Sequence, residues 1–314
     1  MSSVVFHANG IGDDIINRPA LAALAKNLPG PVVLAGADRP RSNFILDDLP
    51  FSRFVRIPIE AGEFDVAALA LALPKASRVF VSMAPYFSPC IDSLRAELHA
   101  AKTIGFGSGY DIDVDMLVPK NAVELSFDFA RAARAGRSVD SWKTDLTFGP
   151  EVEEGVERFL RQAFRDGPVR LLCVHTETFA EKRWNDVFFG QAVCQFLAAH
   201  NDFVGLFLDF HPFGKVCRCH RHRVLSVKGM SLRFAMAILR RATIFLGIDS
   251  CMLHAADHSG VPGVLLFSPA TMPGKFGYYW APHRHLEFSG AQDQAPIAAI
   301  APALHDLVSQ AISA

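Results

Sequence analysis

Residues 249–258 place an aspartate, a hydroxyl and histidines directly after an apolar run. Ile244–Ile248 has the composition of a buried strand, and the following residues have the pattern of a helix with Ser250 as its predicted N-cap. A helix N-terminus offers unsatisfied N–H groups and a partial positive charge, both of which favour a phosphate group. Asp249 and His254 flank this point, and His254 lies on the same predicted helical face as Ser250. The stretch therefore predicts a phosphate-binding site.

A second candidate follows the first predicted strand, where Gly10-Ile-Gly12-Asp13-Asp14 leads into a helix. Glycines allow close approach of the backbone to another group, and the helix again offers its N-terminus. A dinucleotide fingerprint needs a third glycine where the chain has Ile15, so NAD binding is not predicted. Asp13 is open to two interpretations: a general base, or a helix cap that compensates the dipole.

A third candidate leaves the predicted strand Leu171–His175 through a loop with hydroxyls and cations. Thr176 and Thr178 precede Lys182, and a cation before a helix can neutralise a phosphate. The alternative is a solvated cationic loop.

Met230 lies just before another predicted helix. It is either a core residue or an apolar wall against a flat nucleotide base.

Cysteines and histidines between Cys217 and His222 raise the possibility of a zinc site. The spacing C-x-C-H-x-H does not readily surround one tetrahedral ion, and a second cysteine pair is absent nearby. A basic surface loop is the favoured interpretation, and neither a metal nor another cofactor is predicted.

Composition narrows the class of protein. The 314 residues include 31 Lys and Arg against 32 Asp and Glu, a balance without the basic excess of a nucleic-acid-binding protein. Six scattered cysteines predict a reducing compartment without a disulfide framework. The sequence shows neither a signal peptide at its start nor an apolar run of transmembrane length. We therefore expect a cytoplasmic protein without a transmembrane segment, for which peripheral membrane contact stays open.

Predicted strands and helices must hold these candidates in place. Short apolar strands alternate with helices in two successive series, separated by a linker around 136–150. This alternation predicts an α/β protein with two doubly wound, Rossmann-like domains facing a central cleft. The predicted domains are 1–150 and 151–295, followed by a C-terminal helix, 296–314.

Five short segments occur in a fixed order along the chain. They are Gly12-Asp13 with Pro19-Ala20-Leu21-Ala22-Ala23-Leu24, Lys102-Thr-Ile-Gly-Phe106, His175 with Lys182-Arg-Trp184, Met230-Ser-Leu232, and Asp249-Ser250-x-x-x-His254-x-Ala256. In this order the segments resemble glycosyltransferase family 9, the lipopolysaccharide heptosyltransferases. The similarity runs from about residue 3 to residue 285, and the last segment has Cys251 where the family has glycine.

The resemblance implies a GT-B fold, in which domain 1–150 binds the acceptor and domain 151–295 binds the nucleotide sugar. The C-terminal helix would pack back on the first domain. It also implies inverting, metal-independent transfer of a sugar from a nucleotide-diphosphate donor. Asp13 would be the general base, with Gly12 beside it at the donor. Lys182 would hold the diphosphate with Thr176 or Thr178. The remaining donor-binding residues it implies are Met230 at the base and the segment Asp249, Ser250, Cys251, Met252 and His254.

Substrate and activity stay open on several points. ADP-heptose is the first expectation for the donor, and the acceptor is a glycan or a small metabolite. A nucleotide-sugar epimerase or hydrolase of the same architecture is one alternative. A non-catalytic homologue that binds a nucleotide is another.

Overall fold

The computed structural model describes residues 1–59, 63–83, 88–107, 109–115, 117–164, 170–216 and 218–313. The chain divides into two compact units, residues 1–144 and 145–314. The boundary lies a few residues before the one expected from the sequence, because the segment before the helix that begins at Pro150 packs with the second unit.

The first unit contains six strands and four helices within the described residues. In chain order these are β1 (Ser3–His7), α1 (Ile11–Asn27), β2 (Val32–Ala37), β3 (Arg53–Ile57), α2 (Val66–Ala72), β4 (Phe80–Ser82), α3 (Ser88–Leu98), β5 (Thr103–Gly105), β6 (Ile112–Asp113) and α4 (Ala122–Ala132).

All six strands of this unit are parallel, in the order β3-β2-β1-β4-β5-β6. Every residue of β1 is buried, as expected for a central strand covered by helices on both faces. The chain leaves β1 for β2 on one side and reaches β4 on the other. This reversal creates a crevice at the carboxyl end of β1, where α1 begins.

The second unit repeats this design. Its elements are α5 (Pro150–Ala163), β7 (Arg170–His175), α6 (Asp186–Ala199), β8 (Phe203–Phe207), β9 (Val224–Ser226), α7 (Leu232–Leu239), β10 (Ile244–Ile248), α8 (Cys251–His258), β11 (Gly263–Phe267), α9 (Pro273–Phe276), β12 (His283–Glu287) and α10 (Ala295–Ser313).

The second sheet is also parallel, in the order β12-β11-β10-β7-β8-β9. The direction of winding changes between β7 and β10, which are neighbours. The segments that follow these two strands therefore emerge side by side at the carboxyl edge of the sheet. They are the segments that carry Thr176 to Lys182 and Asp249 to His254.

The C-terminal helix corrects one expectation. Its apolar side chains join the core of the second unit, and α10 packs on α6 and on the strands β10, β11 and β12. The resemblance had implied packing on the first domain. The physical reason is the spacing of the apolar residues Ile297, Ile300, Leu304, Leu307 and Val308, which forms one continuous helical stripe that the second unit buries.

Among the helices within the described residues, none has both the length and the apolar character needed to cross a membrane.

Candidate active site

Lys182 and Asp249 meet at the change in winding of the second sheet. The Lys182 ammonium lies 2.9 Å from Asp249 Oδ2, and the Asp249 side chain is 5% exposed while that of Lys182 is 26% exposed. The hydroxyl of Thr178 donates a hydrogen bond of 2.7 Å to the Asp249 backbone carbonyl. Thr178 and Lys182, from one predicted motif, therefore both contact Asp249, from another.

The N-terminus of α8 lies next to this ion pair. Ser250 is its N-cap with an extended backbone (φ −162°, ψ 172°), and its side chain does not cap the helix. Within the described part of the chain, the buried Ser250 Oγ has no hydrogen-bond partner. A helix N-terminus with an uncommitted hydroxyl and a nearby ammonium presents three kinds of donor to an anion.

Three further predicted residues lie on α8 or directly before α7. Cys251 and His254 are partly exposed and lie one turn apart on α8. Met230 is 8% exposed and immediately precedes Ser231, which caps α7 with a hydrogen bond to the Phe234 N–H.

The Met252 side chain belongs to the core. It is 1% exposed, because this position of α8 faces the protein interior. Its backbone N–H lies in the first turn of α8, so any contribution of Met252 to a donor site comes from the backbone.

Thr176 also differs from its expected role. Its N–H and its hydroxyl donate to the two carboxylate oxygens of Asp209, at 2.8 and 2.9 Å, and Thr176 is 4% exposed. The hydroxyl is thus already engaged away from any phosphate. Thr176 fixes the loop after β7, and Thr178 is the threonine that contacts Asp249.

Asp209, which the motif analysis did not select, anchors the start of this loop. Its carboxylate also accepts from the Glu177 N–H at 3.3 Å and lies 2.9 Å from His175 Nδ1. That approach does not have hydrogen-bond geometry, so the contact is electrostatic when the imidazole is protonated. Burial would raise the pKa of Asp209, but the imidazole and the Thr176 donors outweigh it and hold that pKa below its ordinary value.

Glu177 makes a second link between the loops after β7 and β8. Its carboxylate accepts from the N–H groups of Phe210 and His211, at 2.7 and 2.9 Å. The Phe210 carbonyl accepts in turn from the Gly229 N–H at 2.9 Å, next to Met230. These hydrogen bonds connect the predicted site for the nucleotide base, at Met230, to the predicted phosphate site through backbone groups.

Asp257 supports the site from inside α8 and was also missed. Its carboxylate accepts three backbone hydrogen bonds, from Tyr279, Trp280 and Ala281, at 2.8 to 2.9 Å. Burial nevertheless raises the pKa of Asp257, because those hydrogen bonds only partly offset desolvation. This role has little signal in the sequence, since the partners lie more than twenty residues away.

Asp13 lies in the first turn of α1, at the change in winding of the first sheet. Its Oδ2 accepts from the Gly10 N–H at 2.9 Å, so the carboxylate caps the helix. Gly12 lies beside it, inside the helix. Capping holds one oxygen of the carboxylate, and the side chain stays partly exposed. The capping interpretation and the general-base interpretation are therefore compatible in geometry.

Asp14 differs from its neighbour Asp13 in that it is buried and contacts a histidine. It is 5% exposed, and its Oδ1 lies 2.8 Å from Nε2 of the buried His7. Asn9, also close to this edge, donates to the Met83 carbonyl and joins the ends of β1 and β4. Asp14 and Asn9 fix the start of α1 and therefore the position of Asp13.

A metal centre is not evident in the described residues, which contain no group of three or more His, Cys, Asp or Glu side chains arranged to hold an ion. Cys217, part of the zinc hypothesis, lies outside the described residues. His220 and His222 fall in a 3₁₀ segment, Arg218–Arg223.

Several solved structures have a fold similar to that of this chain. The chain is similar to a family 9 glycosyl transferase from Veillonella parvula, with a TM-score of 0.76, 16% identity and coverage of 98% of this chain and 97% of the other. It is also similar to E. coli ADP-heptose lps heptosyltransferase II, with a TM-score of 0.72, 15% identity and 99% of both chains covered. A third similar structure is an E. coli heptosyltransferase with ADP, with a TM-score of 0.68, 16% identity and coverage of 99% and 100%.

No protein-family profile matches the sequence, and no curated protein sequence matches it significantly. The likeness to solved structures spans nearly the whole chain at low identity, so what it establishes is the fold. The predicted GT-B architecture of two Rossmann-like units is confirmed, and the predicted resemblance to glycosyltransferase family 9 is confirmed at the level of the fold.

Proposed function

We propose that the protein is an inverting, metal-independent glycosyltransferase that uses a nucleotide-diphosphate sugar. The observation that carries the proposal is the meeting of Lys182, Asp249 and the α8 N-terminus where the winding of the second sheet changes. The GT-B fold supports it, because similar solved structures are glycosyltransferases.

The proposed donor site stabilises the leaving diphosphate. Negative charge develops on the phosphate oxygens as the bond from the anomeric carbon breaks, and preorganised donors there lower the barrier. Lys182, the Ser250 hydroxyl and the N–H groups at the start of α8 are those donors. Asp249 holds the Lys182 ammonium in place and accepts hydrogen bonds from sugar hydroxyls, while His254 lines the same pocket and Met230 contacts the base.

The proposed transfer is a single displacement. An acceptor hydroxyl oxygen bonds to the anomeric carbon as the carbon–oxygen bond to the diphosphate breaks, which inverts the anomeric configuration. Asp13 takes the hydroxyl proton, and the nucleoside diphosphate leaves with the bonding electron pair. The positive charge of Lys182 and of the helix N-terminus stabilises the leaving diphosphate, as a divalent cation does in metal-dependent enzymes.

ADP-heptose is the proposed first donor. Similar structures include an E. coli heptosyltransferase with ADP and the same kind of enzyme with ADP-2-deoxy-2-fluoro heptose. The acceptor is proposed as a hydroxyl of a glycan or a small metabolite, in the cytoplasm.

Replacement of the proposed base tests the function. Asp13→Asn should lower transfer by about 100- to 10,000-fold, the usual contribution of a general base, with donor affinity unchanged. Sugar transfer from ADP-heptose to a panel of glycan acceptors would be followed by mass spectrometry, and the product anomer by NMR. Asp306→Asn, on the exposed face of α10, is the matched control and should retain full activity.

Two results would count against this proposal. Retained activity in Asp13→Asn would remove Asp13 from catalysis. Turnover of the donor without any acceptor, by epimerisation or hydrolysis, would favour the alternative enzyme class.

A further inference from the structure

The second unit exposes its large apolar side chains at one edge of its sheet. Among the residues that the structure describes there, four such side chains are exposed: Phe179, Val187, Phe210 and Met272. Phe179, Phe210 and Met272 follow the carboxyl ends of β7, β8 and β11, and Val187 lies in the first turn of α6. Apolar residues scattered singly over a surface are ordinary. Their confinement to the edge that carries the proposed donor site indicates a ligand with an apolar part.

Hydrogen bonds hold the backbone of Phe210 on both sides. Its N–H donates to a carboxylate oxygen of Glu177 at 2.7 Å, and its carbonyl accepts from the Gly229 N–H at 2.9 Å. Its ring makes an edge-to-face contact with the imidazole of His211, whose Nδ1 lies 2.5 Å from the same carboxylate. Phe210 is nevertheless 53% exposed. An ordered aromatic ring with an accessible surface loses little conformational entropy when it binds a ligand.

The space beside this backbone is open. Gly229 has a φ of 73°, and a Cβ atom placed on it would meet no heavy atom of the described residues within 4 Å. Met230, the residue proposed above to contact the base, follows directly. A flat group can therefore approach the Gly229 backbone with one face towards the Phe210 ring.

The separation along the edge of the sheet suits a nucleotide. Phe210 follows β8, and the proposed phosphate site at Asp249 and Ser250 follows β10, with β7 between these two strands. Two strand spacings are about 10 Å. A nucleotide with its diphosphate beside Lys182 crosses that distance with its ribose and brings its base to Phe210. Inorganic pyrophosphate in the same place has no part that extends so far.

We propose that the ring of Phe210 stacks on the base of the nucleotide donor and determines how tightly that base is held. Stacking on an aromatic side chain contributes to the affinity for every base, because each base presents a π-face. The inference rests on the proposed function, since it assigns the base-binding surface of the proposed donor site. Phe210 binds the donor and takes no part in the displacement.

Calorimetric titration with ADP tests this assignment in the full-length parent protein and in Phe210→Trp, Phe210→Leu and Phe210→Ala. We expect the affinity to follow the aromatic surface. Phe210→Trp should bind ADP at least as tightly as the parent, and Phe210→Ala should bind it about tenfold more weakly or worse. Phe210→Leu keeps an apolar side chain without an aromatic face and should resemble Phe210→Ala. This order separates stacking from the burial of any apolar group.

Two controls make the result specific to the base. Inorganic pyrophosphate carries the phosphate groups alone, so its affinity should be the same in Phe210→Ala and in the parent. Leu71→Ala removes an apolar side chain that is 78% exposed in the first unit, and it should bind ADP as the parent does. Urea unfolding should give the same midpoint for the parent and the Phe210 variants, because an exposed ring contributes little to stability.

Equal ADP affinity in the parent and in Phe210→Ala would overturn the stacking proposal and leave the proposed function standing. Phe210→Leu that binds ADP as tightly as the parent would also overturn it, since the aromatic face would then be dispensable. An equal loss of affinity for pyrophosphate and for ADP would overturn it too, because the effect would lie at the phosphate site. Absence of ADP binding by the parent would contradict the proposed donor site itself, and the stacking proposal with it.

Discussion

At the scale of single residues, Asp209 shows how one buried carboxylate fixes the loop after β7. It accepts hydrogen bonds from both the backbone and the hydroxyl of Thr176, and a third from the Glu177 N–H. These contacts determine where the chain leaves β7 on its way to Lys182. Their loss should therefore affect both the stability of the protein and the shape of the proposed donor site.

Asp209→Asn should destabilise the protein by about 1.5–3 kcal/mol at pH 7, since hydrogen bonds to a buried charge are lost. The pKa of Asp209 is lowered in the folded state, so its stabilisation is present above the unfolded value near 3.8 and is lost as pH falls through the lower, folded pKa. The difference between parent and variant in the free energy of unfolding should consequently shrink in acid. Urea unfolding at pH 7 and at pH 3 measures it.

Asp202→Asn is the control for this prediction, because the Asp202 side chain is 55% exposed and pairs with a surface arginine. It should change stability by about 0.5 kcal/mol or less. An Asp209→Asn variant that behaves in the same way would contradict the anchoring role.

Single residues also show which parts of the candidate site could be predicted from the sequence. Lys182, Asp249 and either Thr176 or Thr178 were predicted as one site, because the resemblance to glycosyltransferase family 9 implied it. Asp209 and Asp257 were not, since each stabilises a backbone segment that is distant in sequence. Met252 was placed in the site only because its neighbours were, and the structure shows that the helix turns it inward.

At the scale of elements, the central strands were the most predictable. Ile244–Ile248 was predicted with the bounds that β10 has, because a fully buried parallel strand is an uninterrupted apolar run. Two of the four outer strands, β6 and β12, were missed. One has only two residues, and the other, His283–Glu287, alternates histidines with charged and apolar residues. Edge strands need less apolar character, so their signal is weak.

The link between α8 and the segment 279–281 is an element-scale contact that can be tested. Asp257→Asn should destabilise the protein by about 2 kcal/mol, because the amide accepts fewer hydrogen bonds than the carboxylate and its NH₂ group opposes the three N–H donors. Chemical denaturation measures the change. An unchanged midpoint would show that the three contacts contribute no net stability.

At the scale of the whole molecule, two Rossmann-like units have the same strand order, and each has its own core. The sequence predicted this duplication because two series of strands and helices follow each other. The resemblance implied that α10 packs on the first unit, whereas α10 packs on the core of the second. The unit on which the helix packs depends on the shape of the surface that it covers, and a single sequence does not reveal that shape.

Leu304→Ala should cost about 2–5 kcal/mol, the range for removal of a fully buried leucine, with the loss confined to the second unit. Hydrogen-exchange mass spectrometry should show faster exchange in α6 and β11, with β1 and β2 unchanged. Leu71→Ala, at a position that is 78% exposed, is the control. Faster exchange in the first unit instead would contradict the observed packing of α10.

The central claim is that the second unit binds a nucleoside diphosphate between Lys182 and the α8 N-terminus. Isothermal titration calorimetry with ADP, UDP and GDP tests it most directly, using the parent protein, Lys182→Met and Ser250→Ala. Arg183→Met is the control, because the Arg183 side chain is 57% exposed and pairs only with Asp186 among the described contacts.

We predict that ADP binds, that Lys182→Met weakens binding by about 1.5–3 kcal/mol, and that Arg183→Met leaves it unchanged. Ser250→Ala should weaken binding without loss of stability, since the Ser250 hydroxyl has no partner to lose within the described residues. Absence of binding by all three nucleotides would contradict this claim. So would an affinity in both Lys182→Met and Ser250→Ala equal to that of the parent protein.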